Sequence, residues 1–154
     1  MPTLMVIASG NAHKASEIQT LLGADFECRT LKDYPDAPDV EEDAATFAGN
    51  AVKKALSLVD WLKHHEDFTE GWVLADDSGL EVDALDGAPG VRSARYASGT
   101  TEGNSPDEAN NSKLLAELNG KPAHQRTARF RCVLALARAG AYGQPELFLS
   151  LIHI

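Results

Sequence analysis

Two adjacent acidic residues follow a short apolar segment near the middle of the chain. The run 72–75 (WVLA) predicts a buried strand, and Asp76, Asp77, Ser78 and Gly79 come directly after it. One interpretation is a turn, in which Asp and Ser side chains bond to nearby amides and Gly79 adopts a positive φ. The other is a divalent metal site, because a cation converts repulsion between carboxylates into coordination. The residues alone leave both interpretations open.

A glycine-containing segment, residues 8–14 (ASGNAHK), joins the first predicted strand to the first predicted helix. Gly10 lets the backbone pass close to a ligand, and free amides at a helix start attract phosphate oxygens. Lys14 adds a positive charge, and three further side chains can donate hydrogen bonds: Ser9, Asn11 and His13. The segment matches neither GxxxxGK[ST] nor GxGxxG, so an ordinary strand–helix connection remains an alternative to a phosphate-binding loop.

An acidic loop, residues 31–43 (LKDYPDAPDVEED), precedes the second predicted helix. Its carboxylates suit the amino end of a helix. Alternatively, Glu41 or Glu42 helps the later acidic pair to hold Mg²⁺, leaving coordination positions for water and phosphate oxygens. Lys54, in the helix that follows, can reach a phosphate, although a solvated lysine is an equally simple interpretation.

Strands and helices alternate along the sequence. A helix is predicted from near Asp43 to about His64, because apolar residues recur there at helical spacing. Another follows Ser105, which we expect to cap it, with Glu108 completing a capping box and Gly120 ending it. The remaining helix is predicted at 13–22, and the strands are predicted at 3–8, 26–30, 72–75, 126–137 and 146–154. The pattern predicts an α/β fold in one domain, residues 1–154.

Residues 126–137 alternate in the manner of a long strand. Arg129 and Arg131 lie on one face of it. The other face carries apolar side chains: Ala128, Phe130, Cys132, Leu134 and Leu136.

The overall composition restricts the class of protein. The chain has 154 residues, a net charge of −9 and 44% hydrophobic residues, which is typical of a globular domain. The acidic balance argues against binding nucleic acid through its phosphates. Cys28 and Cys132 are far apart and form no CxxC pattern, so we expect two reduced thiols in the core. The amino end has no basic leader and only a short apolar run, so we expect a cytoplasmic protein without a membrane span.

Four segments together closely resemble the inosine triphosphate pyrophosphatase family: SGNAHK, TFAGNAVKKA, ADDSGLEVDALDGAPGVRSARYA and RTARFRCVLAL. The resemblance extends from residue 3 to about residue 148. It implies an elongated mixed, twisted β-sheet flanked by helices, and a homodimer. It also implies Mg²⁺-dependent hydrolysis of ITP, dITP or XTP to the monophosphate and pyrophosphate, which cleanses the nucleotide pool.

The resemblance also implies roles for individual residues. Asp77 corresponds to the proton acceptor, and Glu41 and Asp77 correspond to the metal ligands. Lys54 and Ser78 contact substrate in this interpretation. The triphosphate-binding loop comprises Ser9, Gly10, Asn11, Ala12, His13 and Lys14.

The sequence departs from the family in two places. Gly49 stands in TFAGNA where family members usually carry Glu, which predicts a softer helix because Gly costs about 1 kcal/mol relative to Ala. The family's GFGYDP and SHR segments are absent, and residues 149–154 do not resemble it, so we expect a chain whose carboxyl-terminal part is missing. Two alternatives follow: a catalytically impaired nucleotide-binding fragment or dimerising scaffold, and a related enzyme acting on modified pyrimidine or methylated nucleotides.

Overall fold

The computed structural model describes residues 1–9, 12–98, 103–140 and 146–153, with side chains omitted for 12–14, 66 and 151–153. Its α-helices are α1 (Ala12–Leu22), α2 (Phe47–Leu62) and α3 (Asp107–Glu117). Its strands are β1 (Thr3–Ile7), β2 (Phe26–Thr30), β3 (Trp72–Val82), β4 (Ala128–Arg138) and β5 (Glu146–His153). None of the helices described is long and apolar enough to cross a membrane.

The five strands form one mixed sheet in the order β2-β1-β3-β4-β5. β1 is parallel to both β2 and β3, whereas β3–β4 and β4–β5 are antiparallel. α1 connects β1 to β2, and α2 lies between β2 and β3 in the chain and packs on β3 and β4. The predicted α/β fold with a mixed sheet flanked by helices is confirmed.

The core lies between α2 and one face of the sheet. It includes Ala51 and Ala55 of α2 and Ala75 and Ala135 of the sheet, none more than 1% exposed. These small side chains let the helix backbone approach the strands closely. Phe68 and Leu62 belong to the same cluster and are at most 1% exposed.

β3 continues through the acidic pair instead of ending before it. The predicted turn at residues 76–79 is therefore wrong, because the strand runs to Val82 with antiparallel pairing to β4 throughout. Gly79 has no positive φ. A side chain there would instead collide with a neighbouring segment, since a Cβ atom would lie 2.5 Å from Ser93 Oγ and 2.6 Å from the Gly90 carbonyl oxygen.

α2 begins four residues later than predicted. Thr46 is its N-cap, and its Oγ1 accepts a hydrogen bond from the Gly49 N–H at 3.0 Å. The acidic residues 41–43 therefore lie in the preceding loop, outside the first turn, and the helix ends at Leu62. Gly49 lies in the first helical turn.

α3 begins at Asp107 and does not use the predicted cap. Pro106 occupies the N-cap position, and the Ser105 hydroxyl instead accepts a hydrogen bond from the Ser98 N–H. Gly120 follows the helix with φ of 79°, as expected of a glycine that ends a helix.

The buried face of β4 is the one that carries the arginines. Val133, Ala135 and Ala137 share a face with Arg131 and are at most 6% exposed, whereas Phe130 on the other face is 46% exposed. Cys28 and Cys132 are not joined in a disulfide, and both lie within strands, half-buried instead of fully buried. Burial raises the pKa of the Cys28 thiol.

Candidate active site

A cavity of about 580 Å³ opens where β1 ends and β3 runs on beside it. β1 pairs with β3 only as far as Leu74, and the Ala8 N–H then donates to the Leu74 carbonyl oxygen at 2.8 Å. Beyond this point β3 has no strand on that side among the residues described. The cavity is lined by Ala8, Ser9, Leu31, Pro38, Asp39, Val40, Glu42, Lys54, Leu58, Asp76, Asp77, Ser78, Ala94 and Asn104.

Asp77 is a buried carboxylate in this wall. Side chains alternate along a strand, so Asp77 shares the α2-facing side of β3 with Val73 and Ala75, and it is 7% exposed. Its Oδ2 accepts a hydrogen bond of 2.9 Å from Asn50 Nδ2. Burial raises the pKa of the Asp77 carboxyl group, and nearby Glu42 adds to the rise, whereas the Asn50 bond and the Lys54 charge oppose it.

Asp76 and Asp77 point to opposite faces of β3, because successive strand residues alternate. Their repulsion is thus reduced by geometry before any cation is considered. Both residues still line the cavity, as does the exposed Ser78.

A lysine and an arginine converge on Glu42 at the rim. Lys54 Nζ lies 2.8 Å from Glu42 Oε1, and the lysine side chain is 17% exposed. Arg95 Nη2 donates to the Glu42 backbone carbonyl oxygen at 2.6 Å, and its Nη1 lies 4.0 Å from Glu42 Oε2. Arg95 is buried, so it anchors the acidic loop and is not a surface charge.

The structure brings four of the sequence-predicted residues together: Ser9, Lys54, Asp77 and Ser78 all line this cavity. Glu41 lines an adjoining groove of about 730 Å³ that shares Glu42 with it. Gly10 and Asn11 lie outside the described residues. Ala12, His13 and Lys14 are the first residues of α1, which follows the carboxyl end of β1, where the cavity lies. The structure does not describe their side chains.

Asn50 and Asp39 are site residues that sequence reasoning missed. Asn50 is fully buried between apolar residues of α2, and a polar side chain on an apolar helix face is a detectable signal, because burying it without partners is costly. Asp39 lines the cavity from the acidic loop, and nothing in the local sequence distinguishes it from the other loop acids.

The carboxylates present suit a cation shared with a ligand. Within the described ranges, no group of three or more His, Cys, Asp and Glu side chains is arranged to hold a metal ion. Proteins usually bind Mg²⁺ through one or two carboxylates together with substrate phosphates, and the buried Asp77 supplies one such carboxylate in the cavity. The residues therefore fit Mg²⁺ when an anionic ligand completes its coordination.

The cavity combines three chemical capacities. A buried carboxylate with a raised pKa can accept a proton from water. A lysine ammonium can attract phosphate oxygens, and neighbouring carboxylates can share a cation with them. Together these groups suit the hydrolysis of a polyanionic ester or anhydride.

Curated relatives resemble nearly the whole chain. The dITP/XTP pyrophosphatase of Geobacter sulfurreducens is 49% identical over 152 residues, which cover 98% of this chain and 70% of that protein. The dITP/XTP pyrophosphatase of Geobacillus kaustophilus is 50% identical over 138 residues, covering 88% and 62%. This chain therefore spans 62 to 70% of the length of these two relatives.

Solved structures and a family model agree with these relatives. The Staphylococcus aureus Ham1 protein superposes with a TM-score of 0.81 at 34% identity, covering 98% of this chain and 70% of the other. A HAM1 protein from Coxiella burnetii gives a TM-score of 0.81 at 32% identity, covering 98% and 71%. The sequence model of the Ham1 family matches residues 5–150. The resemblance inferred from the sequence motifs is confirmed, and this chain belongs to the Ham1 family.

Proposed function

We propose that this chain hydrolyses deaminated purine nucleoside triphosphates (ITP, dITP and XTP) to the monophosphate and pyrophosphate in the presence of Mg²⁺. The observation that carries the proposal is that the buried carboxylate residue Asp77 and the lysine Lys54 line one cavity. This cavity lies beside the part of β3 that does not pair with β1. Relatives at 49 and 50% identity that are named dITP/XTP pyrophosphatases support the substrate class.

Lys54 binds the triphosphate in this scheme. Its ammonium group lies 2.8 Å from Glu42 Oε1, so phosphate oxygens compete with that carboxylate for the same cation. Ser78, exposed at the cavity wall, donates a hydrogen bond to the substrate. Residues Ser9 to Lys14 complete the phosphate-binding loop as the family resemblance implies.

Asp77 accepts the proton of the attacking water. The water oxygen attacks phosphorus, the anhydride bond between the α- and β-phosphates breaks, and pyrophosphate leaves. Since burial raises the pKa of Asp77, this carboxylate is a better proton acceptor than an exposed Asp. Mg²⁺, when bound by Asp77 and Glu41 as the family resemblance implies, would neutralise part of the phosphate charge.

The test is pyrophosphate release by this 154-residue chain, with ITP, XTP, dITP and GTP compared in Mg²⁺ and in EDTA. We expect metal-dependent release that favours ITP, XTP and dITP over GTP. Asp77→Asn serves as the matched inactive variant, since it removes the charge at nearly constant volume. Equal release from GTP, or release unaffected by EDTA, contradicts the proposal.

The same assay separates the alternatives. Preference for dUTP or dTTP over ITP indicates an enzyme of modified pyrimidine nucleotides. Binding of Mg–ITP without turnover by a folded chain indicates a nucleotide-binding fragment.

We also propose a cytoplasmic homodimer, as the family resemblance implies. Membership of the Ham1 family supports the dimer. Light scattering coupled to size-exclusion chromatography tests it, and a mass equal to the 16.5 kDa of one chain contradicts it.

A further inference from the structure

The side chain of Asn50 joins three segments of the candidate site. Its Nδ2 donates to Asp77 Oδ2 on β3 at 2.9 Å, and its Oδ1 accepts at 2.9 Å from the N–H of Ala44, the residue that follows the acidic loop. The residue itself belongs to α2 and is completely buried. The carboxamide group of Asn50 therefore links the loop and the strand to the helix through two hydrogen bonds.

The position of Asn50 within α2 connects it to the phosphate-binding group. Lys54 lies four residues later, so the two side chains share one face of the helix. Asn50 reaches the carboxylate from this face, and Lys54 reaches the cavity. The same turn of α2 therefore carries both the partner of the Asp77 carboxylate, Asn50, and the ammonium group of Lys54.

The hydrogen bond restricts the orientation of the Asp77 carboxylate. An amide nitrogen can only donate, so one oxygen, Oδ2, is held towards α2. Without this partner the carboxylate keeps the backbone hydrogen bond from Ser78 but loses its side-chain donor, so the range of its terminal torsion, which is broad in proteins, widens. Catalysis by a proton acceptor depends strongly on such positioning.

We propose that Asn50 is a positioning residue for the hydrolysis described above: it holds the Asp77 carboxylate in its productive orientation and fastens the acidic loop to the same point. The inference rests on the proposed function. Asn50 does not touch the substrate and acts through Asp77.

The first experiment compares Asn50→Ala with the unaltered chain in steady-state hydrolysis of ITP. We expect kcat to fall by about 10- to 100-fold, because small misplacements of catalytic groups have effects of this size. KM is expected to change by less than about threefold, since Lys54 remains in place. Unchanged kcat per folded molecule overturns the inference.

Asn50→Asp separates the two hydrogen bonds. It keeps an oxygen to accept from the Ala44 N–H but removes the donor to Asp77. We expect kcat to fall at least as far as in Asn50→Ala. Retention of full kcat shows that the loop contact is the part that matters and contradicts a positioning role towards Asp77.

Asn110→Ala is the matched control. Asn110 is also a buried asparagine, but its Oδ1 accepts from the Ala97 N–H and its Nδ2 donates to the carbonyl oxygen of Ala94, so all these partners are backbone atoms. We expect a lower urea midpoint of unfolding with kcat within about twofold of the unaltered chain. A loss of kcat equal to that of Asn50→Ala means that destabilisation explains both, which overturns the inference.

A stability cycle gives a readout that does not depend on turnover. The urea midpoints of Asn50→Ala, Asp77→Ala and the double variant are compared in EDTA, and we expect the effect of Asn50→Ala to shrink when Asp77 is absent. Additive effects contradict the contact on which the inference depends. Lack of turnover in the unaltered chain contradicts the proposed function instead, and the cycle then still tests the contact.

Discussion

The ammonium nitrogen of Lys54 lies 2.8 Å from a carboxylate oxygen of Glu42, at the rim of the cavity that contains Asp77. Without substrate, this lysine is already neutralised by the protein's own acid. A triphosphate must therefore replace one anionic partner by another. The intramolecular pair reduces the affinity that the lysine alone would give.

Glu42→Gln is expected to tighten substrate binding. The pair is partly exposed, and such ion pairs contribute about 0.5–1 kcal/mol, so KM for ITP should fall by about two- to fivefold. Steady-state kinetics at saturating Mg²⁺ measures this. Lys54→Met is the companion variant and should raise KM. An increase in KM for Glu42→Gln shows that Glu42 supports binding instead of competing with it.

Asp77→Asn is expected to abolish function and to stabilise the metal-free chain. Loss of a general base typically costs 10²- to 10⁴-fold in rate, that is, about a hundredfold or more here. Because burial raises the Asp77 pKa, the neutral form stabilises the folded state below the ordinary pKa of about 3.9 and this stabilisation is lost as pH rises through the folded-state pKa. The amide mimics the neutral form, so the urea midpoint in EDTA should rise at neutral pH.

The pH dependence of that comparison provides its control. The difference between Asp77→Asn and the unaltered chain should shrink as pH falls through the raised pKa of Asp77, because Asp77 itself then becomes protonated. A difference that does not depend on pH indicates altered packing instead of a removed charge.

Gly79→Ala is expected to destabilise the fold. The new Cβ atom would lie 2.5 Å from Ser93 Oγ and 2.6 Å from the Gly90 carbonyl oxygen, so the segment 90–95 must move. Overpacking of this kind costs about 1–3 kcal/mol in free energy of unfolding, measured by urea denaturation. Ser78→Ala, at the exposed neighbouring position, should change it by no more than about 0.5 kcal/mol. Equal midpoints for the two variants would show that the segment yields freely.

Tyr96 is expected to ionise well above the ordinary tyrosine pKa of about 10. Burial, together with the hydrogen bond from its hydroxyl group to Glu117 and the charge of that residue, raises the pKa of Tyr96 to about 12. Protonated Tyr96 therefore stabilises the fold fully below pH of about 10, and this stabilisation is lost between about 10 and 12. Tyrosinate absorbance, as the difference between the unaltered chain and Tyr96→Phe, measures the titration.

Glu117→Gln gives the internal control for Tyr96. Removing the neighbouring charge should lower the Tyr96 pKa, but burial, the larger cause, should keep it above the ordinary value. A Tyr96 pKa near 10 in the unaltered chain contradicts the buried position of its hydroxyl group.

Local sequence patterns predict the presence of strands and helices better than the residues at which they begin and end. The apolar residues 72–75 predict strand β3, but its continuation to Val82 follows from antiparallel pairing with β4, which lies far away in the sequence. The alternation in β4 was likewise recognised, whereas its buried face was not determined by hydrophobicity. Val133 and Ala135 are buried because α2 packs on that side, which no window of local sequence contains.

The sequence likewise predicts some residues of the candidate site but not the contacts that hold them in place. Motif resemblance identified Lys54, Ser78 and Asp77, which line one cavity. The anchoring of Glu42 by Arg95 joins residues 53 positions apart, so a surface arginine was the simpler expectation. Contacts of this length arise only from the three-dimensional arrangement.

The alanine side chains between α2 and the sheet limit how the site can evolve. Ala51 and Ala55 belong to the same buried cluster as Ala75 and Ala135, and Asn50 and Lys54 each lie directly beside one of these helix alanines. A larger residue in this layer would displace the helix, and with it Asn50 and Lys54, relative to Asp77 on β3, even if the fold survived. Single substitutions by larger residues are therefore not tolerated at these positions. Only paired substitutions, in which a residue on the facing element becomes smaller, keep the site geometry intact.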